Sequence, residues 1–280
     1  MELWKGAPVA TAIKEEAIQK IEELKKIGVV PTLAVVRIGE EEDDLAYERG
    51  ILKRFESCGA QVRVVELPVS VTQLELEEAV KRLNEDSGVH GILIFSSFPK
   101  GIDKTALRRV ISPQKDVDGF GWENLGYIFA QDDRAFPPCT AKAVMEMLAY
   151  YNVDLTGKRA TVIGRSLVVG RPAAMMLMNE NATVTICHTK TADTPAEARR
   201  ADILVVTAGV KKLVGKEYLR EGQIVLDVGI HEDGDSLCGD VKADEADMVA
   251  ALTPVPGGVG SVTTAVLLKH TVISAERMSK

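Results

Sequence analysis

Short apolar runs that close on glycine, each followed by an amphipathic stretch, constrain this chain more than any other feature. Ala160–Gly164 and Ile224–Gly229 are such runs, with Ala182–His188 and Ile203–Ala208 as companion strands. Runs this short suit strands better than helices, and being apolar on both faces they suit a parallel sheet covered on each side. A glycine at the strand's end lets the chain turn into the next helix and lets bare backbone approach a ligand. The pattern predicts a dinucleotide-binding sheet in the second half of the chain.

The first half alternates in the same way. Ile13, Ala17, Ile18, Ile21 and Leu24 recur at helical spacing over Ala10–Ile27, and Gly28 closes that helix. Strands are expected at Leu33–Ile38, Val62–Leu67 and Gly91–Phe95. A helix should follow the acidic run Glu40–Asp44, which suits the positive end of a helix dipole. Further helices are expected at Thr72–Asn84 and Thr105–Ile111, and Asp116–Pro138 reads as an irregular linker with a functional loop at its start. A second α/β unit starts near Cys139, with helices at Ala141–Tyr151, Gly170–Met178 and Ser261–Met278. The expected class is α/β, with two α/β lobes, the second of Rossmann type.

Charge and cysteine usage narrow the partners. A net charge of −7 over 280 residues argues against nucleic acid or an anionic membrane. Cys58, Cys139, Cys187 and Cys238 are widely spread, with no CxxC pair, and the adjacent Cys187-His188 lacks further ligands at metal spacing. No metal is expected, and the thiols read as reduced. The N-terminus has no apolar signal core, and no segment nears the roughly 20 apolar residues that span a bilayer. The expected location is the cytoplasm.

Two glycine-rich segments carry the chemistry. Gly164-Arg-Ser-Leu-Val-Val-Gly170-Arg-Pro172 follows a strand and opens a helix, so backbone N–H groups can approach a phosphate there. Thr253–Thr264 reads TPVPGGVGSVTT, two prolines and then three glycines in four residues, which fits neither an ordinary helix nor a strand. The second Rossmann strand ends His188-Thr189-Lys190 without the acid that usually binds a ribose 2′-hydroxyl; the nearest is Asp193. With Arg165, these residues suit a 2′-phosphate, so NADP is favoured over NAD. Lys190 read alone could also be a solvated loop lysine. Gly209 and Ile230 end the third and fourth strands, where they can line the adenine and nicotinamide pockets. Tyr47, Ile51 and Phe55 make an ordinary apolar stripe, although the Tyr47 ring could also stack on a pterin or benzoyl group. Asp118, in DVDG, could accept from an amino-pyrimidine edge or could simply form a turn before Gly119.

Taken together, GRSLVVGRP, DVDG and PVPGGVG resemble the signatures of the methylenetetrahydrofolate dehydrogenase/cyclohydrolase family, in the family's order and over essentially the whole chain. The resemblance implies a folate-binding domain over 1–137 joined by the C-terminal helix 261–280, and an NADP-binding domain over 138–260. It implies that Tyr47 and Asp118 hold a tetrahydrofolate substrate with Pro256, Gly257 and Gly258, and that Asp116 is structural. It assigns the cofactor to Thr140, Gly164, Arg165, Ser166, Gly170, His188, Thr189, Lys190, Gly209, Ile230 and Thr263. It also implies a homodimer.

Two positions depart from the family. Where the family carries a lysine four residues after the tyrosine, this chain has Ile51; where it carries a glutamine at a strand end, this chain has Phe95. Lys53 lies roughly 200° round the helix from Ile51 and is no simple replacement. Hydride transfer needs no protein acid or base, whereas hydrolysis of the methenyl product needs water activation. The expectation is a dehydrogenase with weak or absent cyclohydrolase activity. The alternatives are a bifunctional enzyme whose water is placed by another group, Lys53 or Ser96 being the local candidates, and a non-catalytic folate or dinucleotide sensor.

Overall fold

Seven consecutive buried residues, Thr32–Ile38, form the centre of the first sheet, as a strand covered on both faces must. The computed structural model describes residues 1–234 and 236–280. In chain order it runs β1 (Glu2–Leu3), α1 (Gly6–Lys26), β2 (Thr32–Ile38), α2 (Glu42–Cys58), β3 (Gln61–Leu67), α3 (Gln73–Glu85), β4 (Gly91–Ile94), α4 (Lys104–Leu107) and α5 (Trp122–Phe129). It continues with α6 (Cys139–Tyr150), β5 (Arg159–Ile163), α7 (Gly170–Asn179), β6 (Thr183–Cys187), α8 (Thr194–Arg200), β7 (Ile203–Val206), β8 (Ile224–Asp227), β9 (His231–Asp233), β10 (Ser236–Cys238), β11 (Ala251–Leu252) and α9 (Thr263–Met278). The chain divides into a first unit, residues 12–139 and 264–280, and a second unit, residues 1–11 and 140–263.

The first unit holds a parallel sheet in the order β3-β2-β4. Helix α3 covers it with Leu76, Val80 and Leu83, which meet Val36, Ile92 and Ile94 in one core. Its start is set by a capping box, with Thr72 and Glu75 exchanging side-chain and backbone hydrogen bonds. Helix α2 ends at Gly59, whose φ of +79° is left-handed backbone that favours glycine. Helix α9 belongs to this unit, as the family resemblance implies: Ser274 Oγ donates to Gln114 O, and His270 Nδ1 lies 2.9 Å from Val117 O.

The expected irregular linker contains helix α5. Its eight residues include Gly126, so propensity alone would not place a helix there. Tertiary hydrogen bonds hold it: Asn124 Nδ2 donates to Pro113 O and Asp116 Oδ2, and Asn124 Oδ1 accepts from Phe136 N. The helix expected at Thr105–Ile111 is shorter, ending at Leu107.

The second unit holds a six-stranded parallel sheet, β1-β11-β8-β7-β5-β6. Strand β5 is flanked by β6 on one side and β7 on the other, which makes a topological switch point at its carboxyl end. Residues 1–11 are expected with the folate-binding half but belong to this unit. They cluster here because Glu2 and Leu3 pair with Ala251 and Leu252, and because the Trp4 ring stacks on Tyr151 at 4.4 Å. A two-residue edge strand has no periodicity by which a sequence could reveal it.

Candidate functional site

In the first unit, β2 is flanked by β3 and β4, so the carboxyl ends of β2 and β4 form a second switch point. Three residues separate β2 from α2, which puts the first turns of α2 beside that crevice. Tyr47 stands here with 37% of its surface exposed, while Ile51, one turn on, is fully buried. Tyr47 is therefore not part of the core stripe that Ile51 and Phe55 form. Its ring lies 5.7 Å from that of Phe95, which follows β4 and is 5% exposed. Ile51 and Phe95 thus present a sealed alkyl group and a buried ring. Lys53 is exposed on the outer side of α2, and Ser96 is exposed just beyond β4.

Arg37, at the end of β2, is buried in a charge network. Its Nε donates to Glu48 Oε2 at 2.9 Å, its guanidinium reaches Glu66 Oε1 at 2.8 Å, and it also donates to Gly39 O. Desolvation opposes its charge, but the surrounding carboxylates outweigh that and hold its pKa above the usual value.

The DVDG loop separates two carboxylates by role. Asp116 is fully buried and accepts from Phe120 N, Gly121 N and Asn124 Nδ2 at 2.8–2.9 Å, so it organises the loop. Burial pushes its pKa up to about 6 despite those donors. Asp118 Oδ1 accepts from Cys139 N at 3.2 Å, and a carboxylate has acceptor capacity beyond one bond. Burial raises its pKa as well. Gly119 fixes the turn between them and Pro138: its φ is +60°, and a Cβ there would lie 2.5 Å from Pro138 N.

In the second unit the glycine turn is closed to side chains. A Cβ on Gly164 would lie 2.2 Å from Thr207 O, and one on Gly170 would lie 2.3 Å from Gly164 O. Ser166 Oγ accepts from Val169 N and Gly170 N, which shapes the entry to α7. A strand–glycine turn opening onto a helix N-terminus fits a dinucleotide phosphate. The exposed Arg165 and Lys190 carry no ion pair among the described residues. His188 Nδ1 accepts from Lys190 N, and His188 N donates to Thr191 Oγ1, so the loop carrying the exposed Thr189 is braced. Asp193, the nearest acid to the strand end, accepts from Ala196 N as the N-cap of α8.

Gly209, at φ +66°, follows β7, and its placement rests on a residue the sequence reading missed. Asp240 accepts from Ala208 N, Gly209 N and Val210 N, and His231 Nε2 lies 2.7 Å from it. Asp227 in turn accepts from Gly229 N, Asp240 N and Val241 N, and burial pushes its pKa up to about 6. Both aspartates stand next to glycine or one residue from it near a strand end, which is the only local signal they give.

The loop 254–260 and the 227–230 turn border a cavity of about 200 Å³, into whose lining Ile230 presents a 58% exposed side chain. Pro256, Gly257 and Gly258 line it too. Gly257 has a φ of +99°, and a Cβ on Gly258 would lie 2.5 Å from Pro254 O. Gly6 docks against this loop: its N–H donates to Gly257 O, and a Cβ there would lie 2.2 Å from Gly258 O. Thr263 Oγ1 donates to Gly260 O, and Thr140 lies half-buried in the first turn of α6. Among the described residues no group of three or more His, Cys, Asp and Glu side chains is arranged to hold a metal ion.

The fold and these sites define a two-unit α/β protein whose second unit is built around a dinucleotide cradle. Residues 4–118 match the catalytic domain of the tetrahydrofolate dehydrogenase/cyclohydrolase family, and residues 138–279 match that family's NAD(P)-binding domain. The bifunctional protein FolD of Carboxydothermus hydrogenoformans is 50% identical over 275 residues, covering 97% of this chain and 96% of that one. The crystal structure of the bifunctional enzyme FolD, a methylenetetrahydrofolate dehydrogenase/cyclohydrolase, from Campylobacter jejuni superposes with a TM-score of 0.96 at 41% identity, over 99% of each chain. The Trypanosoma brucei methylenetetrahydrofolate dehydrogenase-cyclohydrolase, complexed with NADP cofactor and inhibitor, gives 0.93 at 38% identity, over 99% of this chain and 98% of that one. This chain belongs to the tetrahydrofolate dehydrogenase/cyclohydrolase family.

Proposed function

We propose that this chain oxidises 5,10-methylenetetrahydrofolate to 5,10-methenyltetrahydrofolate with NADP, and that it also hydrolyses the methenyl product. The oxidation is supported by the turn of Gly164 and Gly170, whose close backbone packing admits no side chain at either position and brings the strand end to the N-terminus of α7, where a dinucleotide phosphate can bind. NADP is favoured because Arg165 and Lys190 stand exposed without carboxylate partners among the described residues, and no acid stands at the end of β6, the nearest being Asp193 in the N-cap of α8.

NADP supplies the hydride acceptor. In the first unit, the Tyr47 ring stacks on the folate and Asp118 accepts from the amino-pyrimidine edge, fixing the methylene carbon's position. The C–H bond breaks with both electrons leaving as hydride, and a methenyl cation remains. No protein group gains or loses a proton in this step, so Ile51 and Phe95 do not impede it.

Hydrolysis is the second activity. The sequence alone points to its weakness, because Ile51 and Phe95 can neither transfer a proton nor hold a water. The relatives argue the other way: the Carboxydothermus and Campylobacter proteins, at 50% and 41% identity, both bear the name bifunctional. That similarity favours retention, and the monofunctional reading stands on the two apolar side chains. The family resemblance further supports a homodimer, to be checked by sedimentation. Four cysteines without disulfides support a cytoplasmic location.

A paired assay tests the reading: methenyl formation with NADP and with NAD, and methenyl hydrolysis against a no-enzyme blank. Oxidation with NADP together with accelerated hydrolysis is expected. Oxidation alone would establish the monofunctional reading, and no oxidation with either cofactor would leave a sensor.

A further inference from the structure

We propose that His270 is a positioning residue for the folate substrate: it pins the Val117 carbonyl and so fixes the direction in which the neighbouring Asp118 carboxylate points. The inference rests on the reading of Asp118 as the group that accepts from the amino-pyrimidine edge.

Two donors from distant parts of the chain converge on one carbonyl. His270 Nδ1, on α9, lies 2.9 Å from Val117 O, and Cys139 Sγ, at the start of α6, donates to the same oxygen at 3.4 Å. A carbonyl oxygen only accepts, so Nδ1 carries the ring proton. Burial, and then the Asp118 charge, push the Cys139 thiol well above its ordinary range, so its S–H remains a donor. Sγ and Nδ1 stand 3.9 Å apart. A protonated Nδ1 cannot take the thiol's proton, so the pair holds a position and does not make a nucleophile.

The pinned carbonyl belongs to the peptide that joins Val117 to Asp118. That peptide is planar, so fixing its oxygen fixes the plane from which the Asp118 side chain departs. The carboxylate is held at its other end, where Oδ1 accepts from Cys139 N at 3.2 Å.

Packing leaves the loop no other seat. Val117 is fully buried beside the start of β4, where a Cβ on Gly91 would lie 2.8 Å from Val117 Cγ2 and 3.1 Å from Thr271 Oγ1. Gly91 thus lets the loop and α9 both close on the sheet. His270 is 4% exposed, and its ring centroid lies 5.3 Å from that of Phe136, so the imidazole is packed in place. A shift of about 1 Å in a group that positions substrate can cost roughly 10²-fold in rate.

The test compares kcat/KM for methylenetetrahydrofolate at saturating NADP in the wild type, His270→Leu, His270→Asn, Asp118→Asn and the double variant of His270→Leu with Asp118→Asn. His270→Leu should lower it roughly tenfold or more, with KM for NADP within about twofold of wild type. His270→Asn, whose amide nitrogen can stand where Nδ1 stands, should recover most of that loss. In the Asp118→Asn background the Leu substitution should cost less than about threefold, because the group it positions is already gone; a merely structural role would subtract equally from both backgrounds. Three results would overturn the proposal: unchanged kcat/KM in His270→Leu, no recovery in His270→Asn, or equal losses in the two backgrounds. Unchanged kcat/KM in Asp118→Asn would sink the folate reading of Asp118 and this role with it. Should His270→Leu fail to fold, Cys139→Ala removes the second donor to Val117 O while keeping the backbone N–H. The same non-additivity with Asp118→Asn is then expected, and equal losses would again overturn the proposal.

Discussion

The rings of Tyr47 and Phe95 lie 5.7 Å apart at a 36° tilt, so a buried residue that cannot do acid–base chemistry braces an exposed tyrosine. Aromatic pairs of this kind contribute about 0.5–1.5 kcal/mol beyond area burial. Phe95→Leu keeps the position apolar but removes the ring, and should raise KM for methylenetetrahydrofolate roughly 3- to 10-fold with little change in Tm. Steady-state kinetics check it, and an unchanged KM would show that Phe95 does not position Tyr47.

Ile51 is completely sealed from solvent. Restoring a lysine there buries a charge, and an unpaired buried charge typically costs about 3 kcal/mol or more. Ile51→Lys should therefore lower the unfolding free energy in urea by that order. The double variant with Phe95→Gln should recover part of the loss through a hydrogen bond. Equal stability of Ile51→Lys and wild type would show that the site admits water.

Lys190 is exposed, and Asp193 is occupied as a helix cap. A charge-assisted hydrogen bond to phosphate is worth about 1.5–3 kcal/mol. Lys190→Ala should therefore lower kcat/KM for NADP at least roughly tenfold while leaving that for NAD nearly unchanged. A parallel fall with both cofactors would place Lys190 away from the 2′-phosphate.

Asp116 titrates near 6 in the folded protein, above its ordinary 3.8, because burial disfavours the charged form. The native state then holds this proton more tightly than the unfolded chain. Its stabilising contribution is fully present below about pH 4 and is lost as pH rises through about 6, by about 3 kcal/mol at most. Urea unfolding across that window should show a shallower slope for Asp116→Asn than for wild type. Identical slopes would mean that the carboxylate's three donors hold it ionised throughout.

Much of this molecule can be read in its order of residues. The apolar runs at 33–38, 160–163 and 203–206 became strands because a short stretch covered on both faces suits a parallel sheet, while 62–67, with exposed Arg63 and Glu66, forms the half-covered edge of the first sheet. Gly164, Gly170, Gly257 and Gly258 were legible as close-approach positions because no other residue fits that backbone or that space. What escaped depends on partners far along the chain. Helix α5 forms around Asn124 and its bonds to Pro113, Asp116 and Phe136, and the loop 254–260 is backed by Gly6, some 250 residues earlier.

The sequence by itself determined the two α/β units, the glycine cradle and the identity of the side chains at 47, 51, 95 and 118, because local periodicity and steric permission are written residue by residue. Only the tertiary structure decided that Tyr47 is exposed while Ile51 is sealed, that Asp193 is a helix cap and that Asp240 holds the Gly209 turn. Burial and hydrogen-bond satisfaction belong to the set of neighbours a residue meets on folding, and chain order does not encode that set locally.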